Sequence, residues 1–145
     1  MRVASRYFKA PELLVDDKLY HYSMDMWSVG CTMAETIFMK SPFFRGADNN
    51  DQLVRIAEVM GTDDLKTYMN AYRLTMPAAT KRLMREFKQV PLESFKDAQN
   101  ASLCSLEAID LLYRMLVYDK NKRITPADAM AHPYFDPVRA ECIQS

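Results

Sequence analysis

The stretch Ser23-Met24-Asp25-Met26-Trp27-Ser28-Val29-Gly30-Cys31-Thr32-Met33-Ala34-Glu35-Thr36-Ile37-Phe38 decides the fold. Wound at 3.6 residues per turn, it puts apolar side chains on almost every face. Ser23 can act as an N-cap, and Ser41-Pro42 stops the run. A helix that is apolar all round has no side to offer water, so it belongs in the middle of a core. The reading therefore predicts a central buried helix over 23–40, with the rest of the chain laid around it.

Outward from that helix, the signals are again helical. Asn50 can cap a helix over 50–61 in which Leu53, Ile56, Ala57 and Met60 follow the i, i+3, i+4, i+7 spacing, and Gly61 stands where a helix end favours a left-handed residue. Leu65, Met69 and Tyr72 repeat the spacing after a Thr62 cap. A third candidate, 78–87, follows Pro77 and is broken by Pro91, with 88–102 reading as loop. Ser105 precedes Leu106, Ile109, Leu112, Tyr113 and Leu116. Thr125-Pro126-Ala127-Asp128 combines an N-cap, a proline at the first helical position and an acid at the third, and opens a short helix ending before His132-Pro133. Towards the amino terminus, Arg2, Arg6 and Lys9 lie in an irregular basic segment that Pro11 turns into a short helix at 12–15. No window alternates with period two for long, so the expectation is a mainly α fold.

Composition narrows the classes. The 145 residues make one domain's length, 49% are hydrophobic and only three are glycine, the profile of a packed chain. Nineteen basic residues balance nineteen acidic ones, so no global field draws the chain to nucleic acid or to a membrane surface. Cys31, Cys104 and Cys142 are odd in number and match no metal-ligand spacing, which predicts reduced thiols. The start of the sequence lacks a hydrophobic signal core and no apolar run approaches a span's length, so the reading is of a soluble chain. His21 and His132 have no triad or ligand partner at a readable spacing. Lys120-Asn121-Lys122-Arg123 reads as a solvated loop with one structural arginine rather than a localisation patch.

Three groups of residues then stand in a telling order: Ala10-Pro11-Glu12; Ser23-Met24-Asp25-Met26-Trp27-Ser28-Val29-Gly30; and Arg123 ahead of a short helix ending in His132-Pro133-Tyr134-Phe135. In this order and spacing they resemble the lower lobe of a eukaryotic Ser/Thr protein kinase. Val3-Ala4-Ser5-Arg6-Tyr7-Phe8-Lys9, with Asp48-Asn49 and Asp51-Gln52-Leu53-Val54-Arg55-Ile56, is similar to the casein kinase II catalytic subunit. Ala10 stands where that subfamily has glycine. No glycine-rich phosphate loop, V-A-I-K, H-R-D or D-F-G motif occurs in the 145 residues.

The resemblance implies the helical C-terminal lobe of the kinase fold without the N-terminal β lobe, the catalytic loop or the D-F-G segment. It divides the chain into the end of the activation segment (1–15), the central buried helix (23–40), the helix that follows (50–61), an insert (62–102), the last helices of the lobe (105–135) and a tail (136–145). It implies substrate binding by Arg2, Arg6 and Lys9, which would read acidic residues after the phosphorylated Ser or Thr, and by Ser5, which would order the substrate hydroxyl. It further implies a buried ion pair between Glu12 and Arg123, and structural anchoring by Asp25 and Trp27. ATP and Mg are the cofactors by family, but the groups that would hold them are not in these residues. Expected partners are acidic protein substrates and, by family, a regulatory subunit whose docking lobe is missing, with no nucleic acid and no membrane. Expected location is cytoplasm and nucleus.

Two functional classes follow. One is a piece of a Ser/Thr kinase, inactive by itself because phosphoryl transfer needs a lysine, metal-holding acids and an aspartate near the attacking hydroxyl. The other is a non-catalytic module that captures acidic peptides on the same basic segment.

Overall fold

The computed structural model describes residues 3–15, 17 and 23–144, with side chains for 6–15, 17 and 23–141. After a 3-10 turn at Val3–Phe8, α1 spans Pro11–Leu14, α2 Ser23–Phe38, α3 Asn49–Met60, α4 Thr62–Ala71, α5 Ala78–Leu83, α6 Leu106–Met115, α7 Pro126–Met130 and α8 Asp136–Gln144. No strand occurs among the described residues. The molecule is a helical lobe.

Helix α2 is its axis. Trp27, Cys31, Ala34 and Ile37 are buried, and Trp27 is completely enclosed, stacked on Phe44 at 5.8 Å between ring centroids. Phe38 and Phe43 extend the cluster to Phe95. At Gly30 the helix crosses α6 so closely that a Cβ would stand 2.9 Å from Met115 Cβ. The expectation of burial all round holds for most of the circumference only. Asp25, Val29, Thr32 and Thr36 form a stripe that faces water, Val29 being 48% exposed. That stripe was hidden in the sequence because Val29 looks like core and the two threonines fold their hydroxyls back onto Ser28 O and Thr32 O. The helix stops one turn before Pro42, at a left-handed Met39 (φ 55°), where Lys40 N–H donates to Glu35 O.

Local chemistry moves several other boundaries. Asp48, not Asn50, caps α3, its carboxylate accepting from Asp51 N–H at 2.8 Å. Gly61 ends α3 at φ 85° and at once serves as the N-cap of α4. Helix α5 ends at Leu83 rather than at 87 because the chain beyond it is drawn alongside the start of α4. There Thr62 bonds Phe87 through both backbone and hydroxyl, and Val90 N–H reaches Val59 O at 2.7 Å. Ser105 and Thr125 cap α6 and α7. Leu106, grouped by spacing with the buried face of α6, is 83% exposed, and the buried face is Ala108, Ile109, Leu111, Leu112 and Met115. The last stretch, read only as a tail, is helix α8.

Candidate functional site: a basic turn held by two buried ion pairs

The 3-10 turn leads directly into α1, and Ser28 of α2 ties it down by donating to Phe8 O at 3.1 Å. On this turn Arg6 donates through Nε to Gly46 O at 3.0 Å, lies 5.1 Å from the centre of the Tyr7 ring and reaches the Tyr7 hydroxyl. Arg45 approaches the same ring at 5.8 Å and donates to Ser41 O. Lys9 donates to Asn49 Oδ1 at 3.1 Å. All three cations therefore bond neutral oxygens, and none has a carboxylate partner among the described residues.

The loop that receives Arg6 is itself built. Gln52, wholly buried, accepts from Gly46 N–H at 2.9 Å and donates to Phe44 O. A Cβ at Gly46 would meet Gln52 Oε1 at 2.4 Å, so only glycine allows this approach. Asp51, an acid within electrostatic reach of Arg6, is already engaged. Burial raises its pKa, but bonds from Ala47 N–H and the Arg55 guanidinium, with a smaller contribution from the charge of Arg6, outweigh that and leave it below the usual aspartate value. Asn49 and Gln52 entered the sequence reading only as part of the subfamily resemblance and Arg45 not at all, since they sit some forty positions from the turn and only the fold brings them to it.

Beneath the turn, Glu12 and Arg123 meet in a two-pronged pair, NH1 to Oε2 and NH2 to Oε1 both at 2.9 Å, with neither side chain exposed. Arg123 also donates to the carbonyls of Ser23, Val117 and Tyr118 and lies 5.4 Å from the Trp27 ring. A second pair, Lys120 to Asp17 at 2.8 Å, corrects the solvated reading of the 120–123 loop. Lys120 is buried, and Tyr68 donates to the same Asp17 carboxylate. Burial, then the negative charge of Asp17, pushes the Tyr68 phenol strongly up, so it stays a donor. Lys122 alone of the loop's lysines is exposed.

Of the remaining candidates, Asp25 is exposed at the first turn of α2 and makes no ion pair among the described residues, while Trp27 lies at the centre of the core. Arg2, His21 and the side chains of Ser5 and Cys142 lie outside the described residues. His132 does have a partner, which the sequence reading missed: its Nε2 bonds Asp110 Oδ2 at 2.7 Å, and Tyr134 N–H fixes the tautomer by donating to Nδ1. The His132 bond is the main reason the Asp110 carboxyl is held below its ordinary range. Cys31 and Cys104 are free and buried, and burial pushes both thiols up, away from the reactive thiolate.

As chemistry, the site can hold an anion. Among the described residues no group of three carboxylate, His or Cys side chains that could hold a metal occurs. Residues 1–135 match the family model of the protein kinase domain.

Proposed function

Because the chain belongs to the protein kinase domain family, we propose that it is the helical-lobe portion of a Ser/Thr kinase of the casein kinase II type, whose basic turn reads acidic residues after the phosphoacceptor. The observation that carries this reading is the arrangement of Arg6, Lys9 and Arg45. Their hydrogen bonds go to neutral oxygens and none is in an ion pair among the described residues, which leaves room for a carboxylate from outside even though Arg6 also acts at a distance on Asp51. Arg6 stacks on Tyr7, which limits its freedom and lowers the entropy lost when an anion binds. Phosphoryl transfer requires phosphate, metal and hydroxyl positioning that the motifs of these 145 residues do not supply, so the chain by itself binds peptide and transfers nothing.

Fluorescence anisotropy with a labelled peptide of serine followed by aspartates tests the reading. Binding that falls with salt and is abolished by Arg6→Glu with Lys9→Glu is expected, and radiolabelled ATP leaves the peptide unlabelled. A wild-type chain that ignores the peptide, or that phosphorylates it, rejects the corresponding half of the proposal.

A second reading, a self-standing acidic-peptide module, is favoured by one observation. Both buried ion pairs close within the chain, so the turn is braced without help from elsewhere. A cooperative, monomeric thermal transition of the purified chain supports that reading, and aggregation on expression counts against it.

A further inference from the structure

Far along the chain from the basic turn, α4, the 72–77 connection and α5 with the segment after it enclose a groove of about 750 Å³. Its apolar lining is made by Leu65 and Leu74 with Met69, Met76 and Met84. Methionine is unbranched and polarizable, and a wall rich in it adapts to side chains of different shape. The rim has a definite sign. Lys66, Lys81 and Arg85 stand against one carboxylate, Glu86, and that carboxylate is taken by Lys66 at 3.0 Å. Lys81 and Arg85 are exposed and have no acidic partner among the described residues, Arg85 donating only to the carbonyls of Arg82 and Met84.

The walls are fixed in place. The buried Thr80 hydroxyl bonds Asn50 of α3, holding α5 against the lobe, and Thr62 grips Phe87 on the far side. A groove anchored at both edges loses little freedom when it is filled. Asn70 and Thr75, exposed on the same rim, add amide and hydroxyl groups suited to a peptide main chain, which an acyl chain would not use.

We infer that this groove docks an acidic protein segment that places apolar side chains on the methionine lining and carboxylates against Lys81 and Arg85. This surface is separate from the basic turn and does not depend on the reading given to that turn. The charge complementarity selects the partner, and the lining supplies the area.

The test uses the full chain and a fluorescein-labelled peptide of alternating leucine and glutamate, free of Ser and Thr. Lys81→Glu with Arg85→Glu, both at exposed positions, is expected to raise the Kd by about tenfold or more. Met84→Asp raises it as well. A peptide of serine and glutamate with equal charge binds less tightly than the leucine one, and that preference for leucine survives Arg6→Glu with Lys9→Glu. Unchanged affinity in the Lys81/Arg85 variant overturns the inference. So does loss of the leucine preference in the Arg6/Lys9 variant instead, which assigns the peptide to the basic turn. Phosphatidylserine vesicles that displace the peptide and share its dependence on Lys81 and Arg85 also overturn it, in favour of a lipid surface.

Discussion

Arg123 uses every N–H of its guanidinium, two on the Glu12 carboxylate and the others on three backbone carbonyls. Removing Glu12 leaves that cation buried and partly unsatisfied. Glu12→Ala is expected to cost about 3–5 kcal/mol in urea denaturation, since the surviving charge is uncompensated. Arg123→Lys keeps the charge but loses the fork, and is expected to cost about 1.5–3 kcal/mol. Asp51 provides a pH test. Its carboxyl is held below the ordinary aspartate value near about 3.9, so its contribution is complete above that pH and disappears as pH falls through the lowered value. Melting temperatures of wild type and Asp51→Asn should therefore differ at neutral pH and converge in acid. The Glu12–Arg123 pair was legible by resemblance because both residues belong to marked motifs. Lys120 with Asp17 was not, because a lysine within Lys-Asn-Lys-Arg gives no sign of burial until the fold places a carboxylate and the Tyr68 hydroxyl beside it.

For single elements, α2 shows how opposing effects are weighed. Alanine for Gly30 would gain about 1 kcal/mol of helix propensity. The added carbon, however, would stand 2.9 Å from Met115 Cβ and 3.0 Å from Leu116 Cδ2, and Met115 Cβ is no flexible tip that could swing away. Overpacking of this kind costs about 1–3 kcal/mol, so Gly30→Ala should lower the denaturation midpoint despite its better propensity. The same helix marks the limit of periodicity. Its core residues were readable from composition, whereas its Asp25–Val29–Thr32–Thr36 stripe was not, because an almost uniformly apolar sequence cannot say which face its neighbours leave open. Likewise, the early end of α5 depends on Thr62 capturing Phe87 from 25 positions away, an interaction no local window contains.

On the scale of the whole molecule, the axis and its packed faces place Cys31 and Cys104 among the most enclosed residues, each 1% exposed. In a Cys142→Ser background, labelling by an aromatic disulfide reagent should therefore proceed only as fast as global opening, and its rate should rise with urea in parallel with loss of the circular dichroism signal. Rapid labelling of the native chain would show that the core around α2 opens locally. The helical fold class followed from the absence of period-two patterning and from the order of motifs. The groove beside α4 did not, since its lining is assembled from three stretches whose methionines look unremarkable in sequence.

The two internal clamps join Glu12 to Arg123 and Asp17 to Lys120, partners 111 and 103 positions apart. A ribosome delivers the acids long before the cations that hold them, so the segment carrying Glu12 and Asp17 is secured well after it is made. A stop codon ahead of Lys120 would leave every residue of the basic turn intact and still remove both cations that brace the segment behind it.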